Sequence, residues 1–244
     1  MIWVGTDDGN VQITKDGGDN WENVASKLPG LPAGSWVPQI RASDYNAGEA
    51  WVIANDYRRN NFTPYAYHTA DYGQTWTRIV DENDVFGYTL SIIQDPIEPN
   101  LVFLGTENGL FVSFDKAQTW KKWKHGYPSA STYDLTIQTR EHDLVIGTFG
   151  RAFYVLDDIR PLRAVAAQGY NSIANSDWTM FNVGDAYQVS YRQPAGMRFP
   201  ADGGPFEGQN KYVSFAQVKF FVRGDAPKEE PKEEAKKGKK KKGK

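Results

Sequence analysis

The residues best suited to do chemistry in this chain are carboxylates and aromatics gathered in a few loops. Asp7 and Asp8 stand in TDDGN, Asp56 in NDYRRNNFTPY, Asp81, Glu82 and Asp84 in DENDVFGY, and Glu107 in TENG. Two carboxylates facing each other across roughly 5–10 Å could cleave a glycosidic bond. Exposed aromatics mixed with arginine would instead hold a sugar or peptide on a shallow surface. Trp36, Tyr57, Arg58, Arg59, Tyr65 and Arg151 supply that second set, with Asp56 and Glu107 beside them. No carboxylate pair is singled out by type or spacing, so catalytic residues stay unassigned.

Other chemistries are poorly served. There is no cysteine, and His68, His125 and His142 fall far apart without metal-ligand spacing, so neither metal nor cofactor is expected. A nucleophile elbow of the Gly-x-Ser-x-Gly type is missing, and Gly147-x-x-Gly150 is too short for a phosphate loop. The net charge of −2 conceals an asymmetry. Residues 228–244 hold 9 Lys and 4 Glu, leaving 19 basic and 26 acidic residues in the remainder. An acidic body offers no footprint for nucleic acid, and the lysine-rich tail, without apolar anchors, reads as a disordered low-complexity segment over 225–244. No apolar run reaches the ~20 residues of a membrane span.

A second cluster, TADYGQTW at 69–76, looks chemical until the chain is aligned on itself. ITKDGGDNW, HTADYGQTW and VSFDKAQTW share the pattern Ser/Thr-x-Asp-x-Gly-x-Thr-Trp. The copies use Thr14, Asp16, Gly18 and Trp21; Thr69, Asp71, Gly73 and Trp76; and Ser113, Asp115 and Trp120, with Ala117 in the glycine place. An apolar strand precedes each copy, and a fourth copy of that strand, LVIGTFGRAFYVLDD, aligns Asp157 with Asp115. Four short strands in ~40–45 residues is the signature of a propeller blade. The pattern then falls on the turn between third and fourth strands. There Asp and Ser/Thr hold backbone amides, Gly takes a positive φ, and Trp is placed to plug the gap between blades. One carboxylate per blade cannot converge on a substrate, so these aspartates read as structural.

The pattern resembles the Asp-box, or BNR, repeat of sialidases, two-propeller xyloglucanases and the sortilin luminal domain. YRRNNFTPYAYHTADYGQTW, DPIEPNLVFLGTENGLFVSFD and GTFGRAFYVLDDIRPLR further resemble large bacterial exported proteins of the sortilin-like or "glycosyl hydrolase, BNR repeat" kind. The resemblance implies a secreted, periplasmic or cell-surface location. It also implies a fragment cut at both ends, whose full-length form would add further blades and a β-sandwich domain.

The expected fold is therefore all-β: a partial propeller of about four blades over 1–163, then a linker and incomplete β-sandwich segment over 164–224, then the tail. Within the propeller, first-to-second and third-to-fourth strand connections share one face, and the other connections share the opposite, ligand-facing one. The favoured function is non-catalytic recognition of a peptide or glycan on that loop face. The alternative is part of a xyloglucanase-like glycoside hydrolase.

Overall fold

Strands in this chain are short, two to nine residues each, because Gly, Asp, Asn and Pro interrupt its apolar runs. The computed structural model describes residues 1–184 and 217–224. Its strands form successive antiparallel sheets in chain order. The first sheet holds β1 (Ile2–Gly5), β2 (Val11–Thr14) and β3 (Glu22–Asn23). The second holds β4 (Trp36–Ala42), β5 (Ala50–Asp56), β6 (Asn61–Thr69) and β7 (Thr77–Arg78). The third holds β8 (Thr89–Gln94), β9 (Val102–Thr106), β10 (Gly109–Ser113) and β11 (Lys121–Lys122). The fourth holds β12 (Thr132–Gln138), β13 (Asp143–Thr148) and β14 (Phe153–Leu156). Every neighbour pairing within these sheets is sequential and antiparallel, which makes each sheet a blade and the whole a partial β-propeller.

The core lies between blades. Trp51, Ile53 and Ala66 of the second blade meet Ile92, Leu104, Phe111 and Trp120 of the third. Val11 and Ile13 of the first meet Val52, Tyr67 and Trp76 of the second. Leu101, Phe103 and Leu110 of the third meet Leu135, Leu144 and Ile146 of the fourth. A strand packed on both faces needs no polar alternation, and all seven residues of β5 are buried.

The three repeated turns are built on one plan. The hydroxyls of Thr14, Thr69 and Ser113 donate to Oδ1 of Asp16, Asp71 and Asp115 at 2.7, 2.8 and 2.7 Å. The same hydroxyl oxygens accept the amides of Gly18, Gly73 and Ala117. Each aspartate then accepts the backbone amide of Asn20, Thr75 or Thr119 on Oδ1, and that residue's side chain on Oδ2. These bonds fix the chain where it reverses. The side chain and amide of Thr75 hold the Asp71 carboxyl down at about 2, from an ordinary 3.8. Asn20 lowers Asp16 in the same way. Burial pushes Asp115 up, but bonds from Thr119 and Ser113 outweigh it and leave it lowered. The turns close at positive φ on Gly18, on Gly73 and on Ala117, where φ is 64°. A left-handed alanine costs about 1–2 kcal/mol, offset at Ala117 by its methyl, buried in the core shared with the second blade.

Two features depart from the sequence reading. Trp76 and Trp120 plug their gaps, Trp120 donating its indole N–H to the Ile79 carbonyl at 2.7 Å, whereas Trp21 is 44% exposed. No blade packs on that side of the first sheet among the described residues. The all-β expectation also misses two helices beyond the fourth blade, α1 (Arg160–Gln168) and α2 (Tyr170–Asn175). Pro161 opens α1 where its missing N–H is harmless, and Leu, Ala and Gln sustain it. Ile159 and Ala166 join the third core cluster, and Arg163 pairs with buried Asp95 of the third blade. The helix therefore straddles the sequence-expected boundary at 163. An antiparallel pair of β15 (Trp178–Met180) and β16 (Phe220–Val222) follows, with Lys219 bonded to Asp158 at 2.7 Å. The expected linker and incomplete β-sandwich segment over 164–224 lies partly outside the described residues, and the tail wholly so.

Candidate functional site

The β5–β6 connection, the β7–β8 connection and the β9–β10 turn lie on the face opposite the repeated aspartate turns, because antiparallel strands alternate their ends. Together they shape a cleft of about 590 Å³ lined by Asn60 to Pro64, by Glu82 and Val85 to Gly87, and by Glu107. None of the three turn aspartates lines it.

The β5–β6 loop is pinned from beneath. Asp56, at the end of β5, accepts Arg59 Nε at 2.6 Å and Asn61 Nδ2 at 3.3 Å. Asn60 turns the chain at φ 60°, its amide returning to the Tyr57 carbonyl. This clamp lifts Tyr57 and Arg58 outward. The Arg58 guanidinium lies 4.6 Å over Trp36, whose ring is 6.2 Å from Tyr57. Tyr57 stacks on Tyr88 at 4.8 Å, and Tyr88 neighbours Phe62 at 6.1 Å. An unbroken run of flat groups thus leads from Arg58 through Trp36, Tyr57 and Tyr88 to Phe62 on the cleft wall. Phe86, across the cleft, is 71% exposed.

Two carboxylates sit in the cleft in different surroundings. Glu82 is exposed and accepts the Thr63 hydroxyl at 2.6 Å. Glu107 leans over Gly87, where an added Cβ would stand 2.8 Å from its Cγ. Its backbone is tied to Tyr88 and Ser131. Burial pushes the Glu107 carboxyl up from 4.5, toward the protonated form. Burial, with Glu107 alongside, raises Tyr88 to about 12, so its hydroxyl remains a donor. Two carboxylates lining one cleft can accept hydrogen bonds from sugar hydroxyls and so orient them.

The sequence-selected residues divide accordingly. Trp36, Tyr57 and Arg58 form the flat run, and Glu107 lines the cleft. Asp56 and Tyr65 are buried at 7% and 5%, Tyr65 accepting from Asn61 and lying under Arg78, so neither is open to a ligand. Arg59 is spent on Asp56. Arg151 is exposed on the β13–β14 turn and does not line the cleft. Asp81 caps its own loop by accepting the amides of Asn83 and Asp84. Sequence reasoning misses Thr63 and Phe86 as cleft residues. A signal for Phe86 exists: it stands between Val85 and Gly87 in a loop that carries three acidic residues at 81–84. Among the described residues no group of three His, Asp or Glu could hold a metal ion, and no helix is long and apolar enough to cross a membrane.

No family model matches the chain. Over 166 residues it is 28% identical to an oligoxyloglucan-reducing end-specific xyloglucanase of Emericella nidulans, a match covering 62% of this chain and 19% of the relative. A GH74 enzyme from Niastella koreensis superposes with a TM-score of 0.51 at 17% identity, over 64% of this chain and 26% of that one. The GH74 xyloglucanase from Xanthomonas campestris superposes at 0.50 and 14% identity, over 64% and 27%. The chain thus spans about a fifth of the curated relative and about a quarter of these solved enzymes. The solved structures establish the shared propeller fold.

Proposed function

We propose that this chain forms the glycan-holding face of a carbohydrate-active propeller of the xyloglucanase kind. The run from Arg58 through Trp36, Tyr57 and Tyr88 to Phe62 carries the reading, because flat apolar plates match the faces of successive pyranose rings. Its outlet into a cleft holding Glu82 and Glu107 supplies polar partners for sugar hydroxyls. The likeness to a xyloglucanase favours a β-glucan backbone over a peptide and favours the carbohydrate-active reading over a purely passive scaffold.

Affinity electrophoresis of the 244-residue chain in gels cast with xyloglucan, mixed-linkage β-glucan or no polysaccharide tests this. Retardation by a β-glucan is expected. Tyr57→Ala or Phe62→Ala should weaken it about tenfold, equivalent to about 1.4 kcal/mol. Arg151→Ala should leave it unchanged. Equal mobility in all gels, or equal retardation of all variants, would overturn the reading. Release of new reducing ends from xyloglucan by this chain, lost on Glu107→Gln with binding retained, would show that the cleft cleaves as well as holds.

A further inference from the structure

The arginines of the second blade that lie beside the cleft are not committed alike. Arg59 gives its Nε to Asp56 at 2.6 Å. Arg78 gives Nη2 to the Pro64 carbonyl at 2.6 Å, and its guanidinium lies 4.9 Å over Tyr65. Arg58 does neither. It is exposed, and among the described residues it pairs with no carboxylate and donates no hydrogen bond. Its guanidinium rests on rings instead, 4.6 Å from the centre of Trp36 and 5.9 Å from that of Tyr57. Asp56 does not serve it, because that carboxylate is buried beneath the loop and already accepts Arg59 and Asn61.

A guanidinium on an exposed ring is held weakly, and the ring leaves its N–H donors without hydrogen-bond acceptors. Those donors form a planar fork that meets a carboxylate with two parallel bonds. The side chain also covers the half-buried Trp36. A neutral sugar reaching that plate must push the cation aside and offers it no charge in return. A sugar bearing a carboxylate pairs with the cation as it uncovers the plate. The far end of the aromatic run has the opposite character, since Phe62 lines the cleft together with Glu82 and Glu107. An acid placed there would be repelled. The face is therefore charged lengthwise, cationic at Trp36 and acidic at Phe62.

We propose that Arg58 is a specificity-determining residue: it selects a glycan whose sugar at Trp36 carries a carboxylate, with neutral sugars along Tyr57, Tyr88 and Phe62. This rests on the glycan-holding reading of the same face and names the substrate class that face prefers. The ligand is a largely neutral β-glucan stretch bearing an occasional uronate. A chain of uronates throughout would bring acids against Glu82 and Glu107. The lengthwise charge also orients the chain, because only one direction of binding sets a terminal acid on Arg58.

Titration calorimetry of the 244-residue chain with three β-1,4-linked glucose oligosaccharides of equal length tests the proposal. One is neutral, one carries glucuronate in place of the non-reducing terminal glucose, and one carries it in place of the reducing terminal glucose. One of the two acid forms, whichever direction sets its carboxylate on Arg58, should bind about fivefold more tightly than the neutral form at low salt. Raising the salt to about 0.5 M should cut that advantage to under about twofold. In Arg58→Gln the advantage should vanish, whereas Tyr57→Ala should weaken acid and neutral forms together. Circular dichroism melts matching the parent confirm that Arg58→Gln folds, and Arg58→Met replaces it if it does not. Neutral and acid forms binding equally would overturn the role of Arg58 while leaving the glycan-holding face intact. So would an advantage that survives Arg58→Gln, since the charge would then be read elsewhere. Binding of none of the three would overturn the glycan-holding reading and this proposal with it.

Discussion

The Asp95–Arg163 pair holds α1 against the third blade, and its removal should be costly in a specific way. Asp95 is fully buried, and Arg163 Nε lies 3.0 and 2.9 Å from its two carboxylate oxygens. Asp95 Oδ1 also accepts the amides of Ile97 and Glu98, and Arg163 Nη1 donates to His142 Nδ1 at 2.7 Å. Burial, with Arg163 and Arg160 alongside, lowers His142 and keeps that nitrogen free to accept. Arg163→Met leaves a buried carboxylate without its cation, at a cost of about 3–5 kcal/mol. That is a large share of a typical stability of about 5–15 kcal/mol. Arg163 Nη2 is buried without a partner among the described residues, so the intact pair already carries an unrecovered desolvation cost. Hence Asp95→Asn combined with Arg163→Met should return to within about 1 kcal/mol of the parent, because a carboxamide oxygen at this position still accepts the two backbone amides. Urea unfolding followed by tryptophan fluorescence gives the three differences, and the double-mutant cycle should show coupling of about 2 kcal/mol or more. Arg163→Met costing under about 1 kcal/mol, or a double variant no better than the worse single, would refute the reasoning.

Two further outcomes follow from the turns and strands. Because the folded Asp71 carboxyl is depressed from 3.8 to about 2, its stabilising contribution is complete above about pH 4 and fades as pH falls toward 2. Melting curves of the parent and Asp71→Ala should therefore differ at about pH 6 and converge near pH 2; a constant gap would contradict this. Gly105 and Gly147 occupy the same place in their repeats but not the same space. A Cβ at 105 would lie 2.3 Å from Ser91 Oγ and 2.5 Å from the Thr132 carbonyl, whereas at 147 nothing comes closer than 3.6 Å. Gly105→Ala should cost about 1–3 kcal/mol while Gly147→Ala is nearly neutral, read as midpoints in the same urea assay.

What can be read in the sequence follows the range of the interactions. The three repeated turns are legible because the Ser/Thr and Asp side-chain bonds that shape them join residues no more than four apart, so residue type and spacing carry the geometry. The blades are legible because the repeat multiplies that signal. Asp56 and Tyr65 mislead because loop composition places them on the ligand face, while burial is decided by register. Asp56 is the last residue of β5, and its carboxylate turns under the loop to Arg59 and Asn61. The helix α1 is hidden for a different reason. Its residues, RPLRAVAAQ, favour a helix locally, but the repeat ends at the same point and its alignment says nothing of what comes next. Its anchor, Asp95, lies 68 residues upstream in a turn whose composition predicts only a reversal. The same limit governs the cleft. Glu82 and Glu107 come from different blade connections, and only the packed blades bury Glu107 enough to push its carboxyl up. The chemical character of a glutamate such as Glu107 is a property of its surroundings, and those surroundings come into existence only once the blades have packed.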